Sequence, residues 1–300
     1  MNQPPASFLD VQALLETSLP RARIAWIPFA STGFVVAVFV SWYFGHRTED
    51  GDQAASVLLS VGLTVFVVIM SLSSVAAVRR ARKEQSQLTG IEELVQLRRW
   101  PEAAVLLQNF LSRPARSHTS RAQALLYLAM VLTRYHRFED SVAVHDYILQ
   151  NIALDDATGH AVRLGRAMGL LREDSLLDSD RAIAELRRES RGTESPGLAL
   201  VEIYRDVKTG HPAEAIEMFE KSIEMMRKQL GQRIADAWGL VARAYDMLGR
   251  TGEAKTAYEN ATLLVSPAEL SRRYPEIGAL AGKFSPSMEP PEVAGDGGLR

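Results

Sequence analysis

The side chains with the best claim to chemistry are six histidines (His46, His118, His136, His145, His160 and His211) and a run of aspartates at Asp174, Asp178 and Asp180. Two imidazoles four residues apart on a helix would share one face and could hold a metal ion. No two of the six stand in that relation. His136 and His145 fall in one helical hairpin, near its turn and on its second helix, but no further ligands accompany them. The aspartates suggest a calcium loop. Counted from Asp178, Asp180 and Glu189 take the third and twelfth places, but Ala182 and Ile183 stand where a ligand and a turn glycine are required. The stretch reads instead as a solvated loop with helix-capping aspartates.

The catalytic alternatives are also missing. There is no Gly-rich phosphate loop, no G-x-S-x-G and no H-E-x-x-H. The 300 residues include no cysteine, which removes disulfides, thiol catalysis and cysteine-ligated metals. A net charge of −2 gives no global attraction to nucleic acid. The sequence therefore predicts no catalytic residue, no metal, no cofactor and no nucleic-acid partner. It points to binding or structural work rather than catalysis.

Two blocks dominate the first part of the chain. Ile24 to Gly45 and Ala54 to Val78 carry no charged residue over 22 and 25 positions. As helices they would be roughly 33 and 37 Å long, against a hydrocarbon core of about 30 Å. Trp26, Trp42 and Tyr43 sit near the ends of the first block, where aromatic rings favour a membrane interface. The run is too long for the apolar part of a signal peptide. Arg21 and Arg23 precede the blocks, and Arg79, Arg80, Arg82 and Lys83 follow them, whereas Arg47 in the loop is offset by Glu49, Asp50 and Asp52. This predicts an integral membrane protein of a bacterial cytoplasmic membrane, with both termini cytoplasmic and the lipid bilayer as a partner.

Gly33, Ala37 and Ser41 share one helix face, as do Ser56, Ser60 and Thr64, so the two spans can pack through small residues. Chance spacing is the alternative. No ionisable residue lies inside either span, which argues against transport. Before the spans, Phe8, Val11, Leu14 and Leu15 form one helix face that Pro20 ends. Such a helix would lie on the membrane surface or remain a frayed leader.

From Leu88 onward the periodicity is helical, without strand-like alternation. The clearest segment is Trp238-x2-Val241-Ala242-x2-Tyr245, then Ala254-x3-Tyr258, Ala261 and Pro267. It resembles a tetratricopeptide repeat: large, small and aromatic residues on a first helix, small then aromatic residues on a second. Weaker copies precede it. Trp100-Pro101-Glu102-Ala103-Ala104 leads into Leu107 and Phe110. Leu125, Leu128, Ala129 and Leu132 precede Phe138-Glu139-Asp140-Ser141. Leu164, Gly165 and Met168 pair with Ala182 and Leu186, and Gly210-His211-Pro212-Ala213-Glu214-Ala215 leads to Phe219.

The small residues beginning the second helices are Ala103, Ser141, Ala182, Ala215 and Ala254, spaced 38, 41, 33 and 39. The family's period is about 34. On this reading the segment Arg172 to Asp180 is several residues longer than the family's turn. Ala268 to Arg273 would cap the last hairpin, with Ile277 and Leu280 packing beyond it.

The expected architecture is all-α. A leader (1–23) precedes a transmembrane hairpin (24–78, spans 24–45 and 54–78) and a basic linker (79–87). An α-solenoid of about five hairpins with a cap follows (88–283), then a disordered tail (284–300). The resemblance implies that first-helix residues build a concave wall: Tyr127, Met130 and Arg134, then Arg163 and Arg166, Arg205, Asp236 and Arg243. It also implies that His145 occupies a core position. Several arginines on that wall would suit an acidic peptide, unless neighbouring carboxylates pair with them. The basic and asparagine set with which some family members hold a terminal carboxylate is missing. The expected function is a membrane-anchored scaffold or adaptor binding a protein through its groove. The alternative is a structural subunit assembled through the transmembrane hairpin.

Overall fold

The computed structural model describes residues 9–19, 62, 72, 75, 78–79, 82–115, 117–190 and 195–284. Among the described residues there are helices and connecting turns and no strand. We number the helices α1 (Val11–Thr17), α2 (82–96), α3 (Trp100–Leu111), α4 (His118–Arg134), α5 (Phe138–Asn151), α6 (Asp156–Arg172) and α7 (Leu176–Glu189). Then come α8 (Pro196–Thr209), α9 (Pro212–Gln229), α10 (Ile234–Met247), α11 (Thr251–Thr262), α12 (Pro267–Arg273) and α13 (Gly278–Phe284).

The helices from α2 to α11 form hairpins joined by the same turn each time. Arg98, His136, Asp174, Gly210 and Gly249 each take a left-handed backbone, with φ of 57°, 59°, 64°, 80° and 73°. The next residue then returns its N–H to a carbonyl five positions back. Arg99 N donates to Leu94 O at 2.8 Å, Arg137 N to Leu132 O at 3.0 Å, and Ser175 N to Leu170 O at 3.0 Å. His211 N donates to Asp206 O at 2.8 Å and Arg250 N to Tyr245 O at 2.9 Å. This closure satisfies a carbonyl that the helix end leaves open. The second helix begins two residues after each left-handed position, and a small buried residue follows it by five: Ala103, Ser141, Ser179, Ala215 and Ala254.

The third hairpin therefore differs from the sequence reading. Its small residue is Ser179, fully buried, and the spacings become 38, 38, 36 and 39. The turn after α6 has the same length as the others. Ala182 lies three residues further along the same helix and is also buried.

The chain divides into two compact units, residues 1–152 and 153–300. In the first, α3 packs on α4 and α4 on α5, around Leu107, Leu125, Leu128, Leu132 and Ile148. The helix α1 packs on α3 and α5, with Leu9, Val11 and Leu14 buried. In the second unit, α6 packs on α7, α8 on α9 and α10 on α11, and the first helices also stack, α6 on α8 and α8 on α10. The α6–α8 contact is close: a Cβ on Gly197 would stand 2.6 Å from Leu164 Cδ1. Side chains cap the starts of α4, α6 and α8 as well as α1 and α12. Ser117, Asp155 and Ser195 accept from Ser120, Thr158 and Leu198 N–H groups. Leu270 of α12 packs with Ala235 and Ala261, beside Trp238 and Val265.

The membrane expectation is corrected. Among the described residues no helix is long and apolar enough to cross a membrane. Their faces are too polar: the 18-residue α9 carries Glu214, Glu217, Glu220, Lys221, Glu224, Arg227 and Lys228, a load that a hydrocarbon core does not accept. The spans 24–45 and 54–78 lie outside the described residues except Gly62, Leu72, Val75 and Val78, which are helical and exposed. The packing faces Gly33, Ala37, Ser41, Ser56, Ser60 and Thr64 lie outside them as well. Among the described residues the fold is accordingly one of helical hairpins, with no membrane-spanning helix. The expected cytoplasmic-membrane localisation goes with that correction, because no described helix can span a membrane. The tail from 285 also lies outside the described residues.

Candidate functional site

The stacked first helices α6, α8 and α10 make a wall in the second unit, and a segment of the same chain lies on it. After α12 the chain turns at Tyr274 and Pro275–Ile277 and runs back along α10. Glycine makes the approach possible: a Cβ on Gly239 would stand 2.8 Å from Ile277 Cδ1. Leu270, Tyr274, Ile277 and Leu280 are fully buried.

Polar contacts fix the register of this segment. Arg273 Nη1 donates to Asp236 Oδ1 at 2.9 Å, and the Tyr274 hydroxyl donates to Asp236 Oδ2 at 3.4 Å. The Tyr204 hydroxyl donates to Glu276 Oε1 at 3.3 Å, and the Lys208 ammonium lies 3.4 Å from that oxygen. Tyr204 and Tyr274 meet edge to face at 5.0 Å, and the Arg172 guanidinium stands 5.2 Å from the Tyr274 ring centre. Lys283 donates to Asp246, which also pairs with Arg243 at 2.8 Å.

Burial sets the titration of these groups. The Tyr274 phenol is pushed up to about 12, mainly by burial and then by the Asp236 charge. Burial, followed by Glu276, pushes Tyr204 up further. The Lys283 hydrogen bond holds Asp246 below the usual carboxylate range. Asp206, on α8, moves the other way because burial penalises its charge.

The groove residues named from sequence fall as follows. Tyr127, Met130 and Arg134 lie on α4 in the first unit. Tyr127 accepts from Gln123, Met130 is 49% exposed, and the Arg134 guanidinium lies 5.7 Å from the Trp100 ring centre. In the second unit Arg163 pairs with Glu189 at 3.0 Å, Arg205 lies 3.2 Å from Asp206, and Arg243 pairs with Asp246. Arg166 is half-buried. Asp236 is buried beneath Arg273 and Tyr274. Neighbouring carboxylates thus already meet three of these arginines. The repeat-signature side chains Val241, Ala242, Ala254, Tyr258 and Ala261 are buried. Trp238 packs edge to face on Phe219 at 4.7 Å, and Tyr245 is half-buried.

Two cavities escaped the sequence reading. One, of about 200 Å³, lies among α7, α8 and α9 and is lined by Leu198, Ala199, Met218 and Met225, with Arg187 and Glu202 paired at its edge. Its only sequence signal was the pair of methionines seven residues apart on α9. The other is an open polar cleft of about 870 Å³ with Asp156, His160, Arg163, Glu185, Arg188 and Glu189. At its edge His160 Nε2 lies 3.0 Å from Ser195 Oγ. That hydroxyl caps α8 by accepting from Leu198 N at 3.5 Å, so the contact reads as part of a helix cap. Among the described residues no group of three or more His, Asp or Glu side chains stands where it could hold a metal ion. His145 is buried on α5.

No protein-family model, curated protein or solved structure matches this chain.

Proposed function

We propose that this chain is a protein-interaction module, a tetratricopeptide-type array that holds a segment of a partner protein and acts as a scaffold or adaptor. One observation carries this reading: the wall of α6, α8 and α10 already holds a peptide segment, residues 270–280 of the same chain, through buried apolar side chains and directed polar contacts. Stacked hairpins offer such a wall because each first helix leaves one face toward the groove. The repeated left-handed turn and the near-regular spacing of 36 to 39 residues support a repeat of helical hairpins, with a period longer than the family's, about 34.

The partner segment is acidic and meets Arg163 and Arg166 on α6. At Arg163 an incoming carboxylate replaces Glu189, and exchange of one part-exposed ion pair for another costs little.

The test places a photo-crosslinking residue at position 156, beside Arg163 in the polar cleft, in the full chain, with a second at position 263, where Leu263 is 82% exposed just after α11. In source cells the expected result is a protein adduct at 156, absent at 263, and lost when Arg163 and Arg166 are both changed to Glu in a chain of unchanged helicity. Equal adducts at both positions, or an adduct at 156 indifferent to charge reversal, would sink the reading.

A further inference from the structure

In the first unit α1 lies in a seat made by α3 and α5 and closed by Arg121 of α4. Three contacts from the seat reach main-chain groups of that short segment, and a fourth runs from its Thr17 side chain to the seat. Arg121 Nη2 donates to Leu15 O at 2.8 Å, and Arg137 Nη1 donates to Leu9 O at 2.9 Å. Ala115 N donates to Ser18 O at 3.3 Å, while Thr17 Oγ1 donates in the other direction, to Leu111 O at 3.1 Å. Arg121 also donates to Ser18 Oγ at 3.0 Å and to the Tyr147 hydroxyl at 2.7 Å, and its cation stands 4.9 Å from the Tyr147 ring centre.

Arg121 is only 2% exposed. A buried guanidinium is costly unless its donors are satisfied. Two of its three partners here, Leu15 O and Ser18 Oγ, belong to the occupant, and Leu15 O lies in the last turn of α1. A cation at that end of a helix meets the open carbonyls and the negative end of the helix dipole. The side chains buried in the seat are Leu9, Val11, Leu14 and Ser18. Most of the polar recognition is therefore of backbone, which any short helix offers, and the sequence-specific part is three apolar side chains and the Ser18 hydroxyl.

We propose that this seat is a receptor for the C-terminal end of a short amphipathic helix, with residues 9–18 as its occupant in cis. The partner it fits is a helix of another protein with the spacing Leu-x-Val-x-x-Leu-x-x-x-Ser, which displaces α1.

The experiment uses full-length protein and a fluorescein-labelled peptide of residues 9–19. Leu14→Asp ejects the cis helix and leaves the seat intact. The expected result is saturable peptide binding by Leu14→Asp at least about tenfold tighter than by wild type, abolished when Arg121→Met is added, with all three proteins equally helical. No binding by a helical Leu14→Asp protein, or binding unaffected by Arg121→Met, overturns the proposal. Should Leu14→Asp fail to fold, hydrogen exchange of wild type decides. Amides of 11–18 are expected to exchange at least about tenfold faster than those of α3. Equal protection would make α1 a fixed part of the core and overturn the proposal.

Discussion

Gly239 and Ile277 meet as a bare backbone and a methyl group, so close that a Cβ on Gly239 would stand 2.8 Å from Ile277 Cδ1. The glycine weakens α10 by about 0.5–1 kcal/mol relative to alanine, and in return the chain's C-terminal segment reaches the wall. Gly239→Ala recovers helix propensity while pressing on a single movable methyl, so its stability should stay within about 1 kcal/mol of wild type. Gly239→Phe has no room. Amides of 270–284 should then exchange faster while those of α8 and α9 keep their protection. Unchanged protection of 270–284 in Gly239→Phe would show that the segment does not depend on this close approach.

Asp236 is the polar counterpart of that contact. It accepts from both Arg273 and Tyr274, and its side chain is almost fully buried. Asp236→Ala strands the buried Tyr274 hydroxyl and leaves Arg273 with Glu269 as its carboxylate partner at 3.1 Å, so it should cost about 2 kcal/mol in a urea melt, against about 1 kcal/mol for Tyr274→Phe. The double variant should cost less than the sum, because both changes remove the same hydrogen bond. Strict additivity would mean that the Tyr274 hydroxyl contributes nothing through Asp236.

Some of this architecture was legible in the sequence and some was not, for identifiable reasons. Gly210 and Gly249 announce their turns because glycine tolerates positive φ. Arg98, His136 and Asp174 adopt the same backbone without that signature, so the third turn was misplaced and Ala182 stood in for Ser179. The apolar face of Val11 and Leu14 was visible. Its seat was not, because the buried Arg121 that completes it lies more than a hundred positions away and reads as one more surface charge. The sequence expects a helix at 268–273 with Ile277 and Leu280 packing beyond it, and the structure places α12 at Pro267–Arg273 and buries both side chains. The return along α10 depends on Gly239, which on its own reads only as a weak helix residue.

Two carboxylates should give opposite responses to acid. The folded state holds Asp246 below its ordinary value, first through the Lys283 hydrogen bond. Its contribution is therefore present above the unfolded carboxylate value and is lost as pH falls through the folded one. Asp206 is raised by burial. It costs stability while ionised, and that cost is relieved as pH falls through its folded value. In urea melts from about pH 7 to about pH 3, Asp246→Asn should flatten part of the acid-side loss and Asp206→Asn should steepen it. Tyr274, held at about 12, contributes to the alkaline side together with Tyr204, which burial raises further. The Tyr274 contribution is complete below the ordinary tyrosine value of about 10 and disappears as pH rises toward the folded value. Tyr274→Phe should remove part of the alkaline decline, and an unchanged decline would assign all of it to other groups.

The repeated turn gives the most direct test of the array, because losing a glycine at a left-handed position should cost stability and gaining one should not. Gly210 and Gly249 have φ of 80° and 73°, and an added Cβ would meet nothing within 4 Å at either. Any cost of Gly210→Ala or Gly249→Ala is therefore backbone strain alone, about 1–2 kcal/mol. At Arg98 the native side chain already bears that strain at φ 57°. Arg98→Gly relieves it but gives the unfolded chain more freedom, so a net gain below about 1 kcal/mol is expected. Asp174→Gly should gain less, since aspartate tolerates the left-handed region better and Asp174 also meets Lys208 at 2.8 Å. Chemical denaturation of the four variants reads the signs. If the two alanine variants are neutral, the turn relaxes to another geometry without loss, and the shared closure does not hold the hairpins.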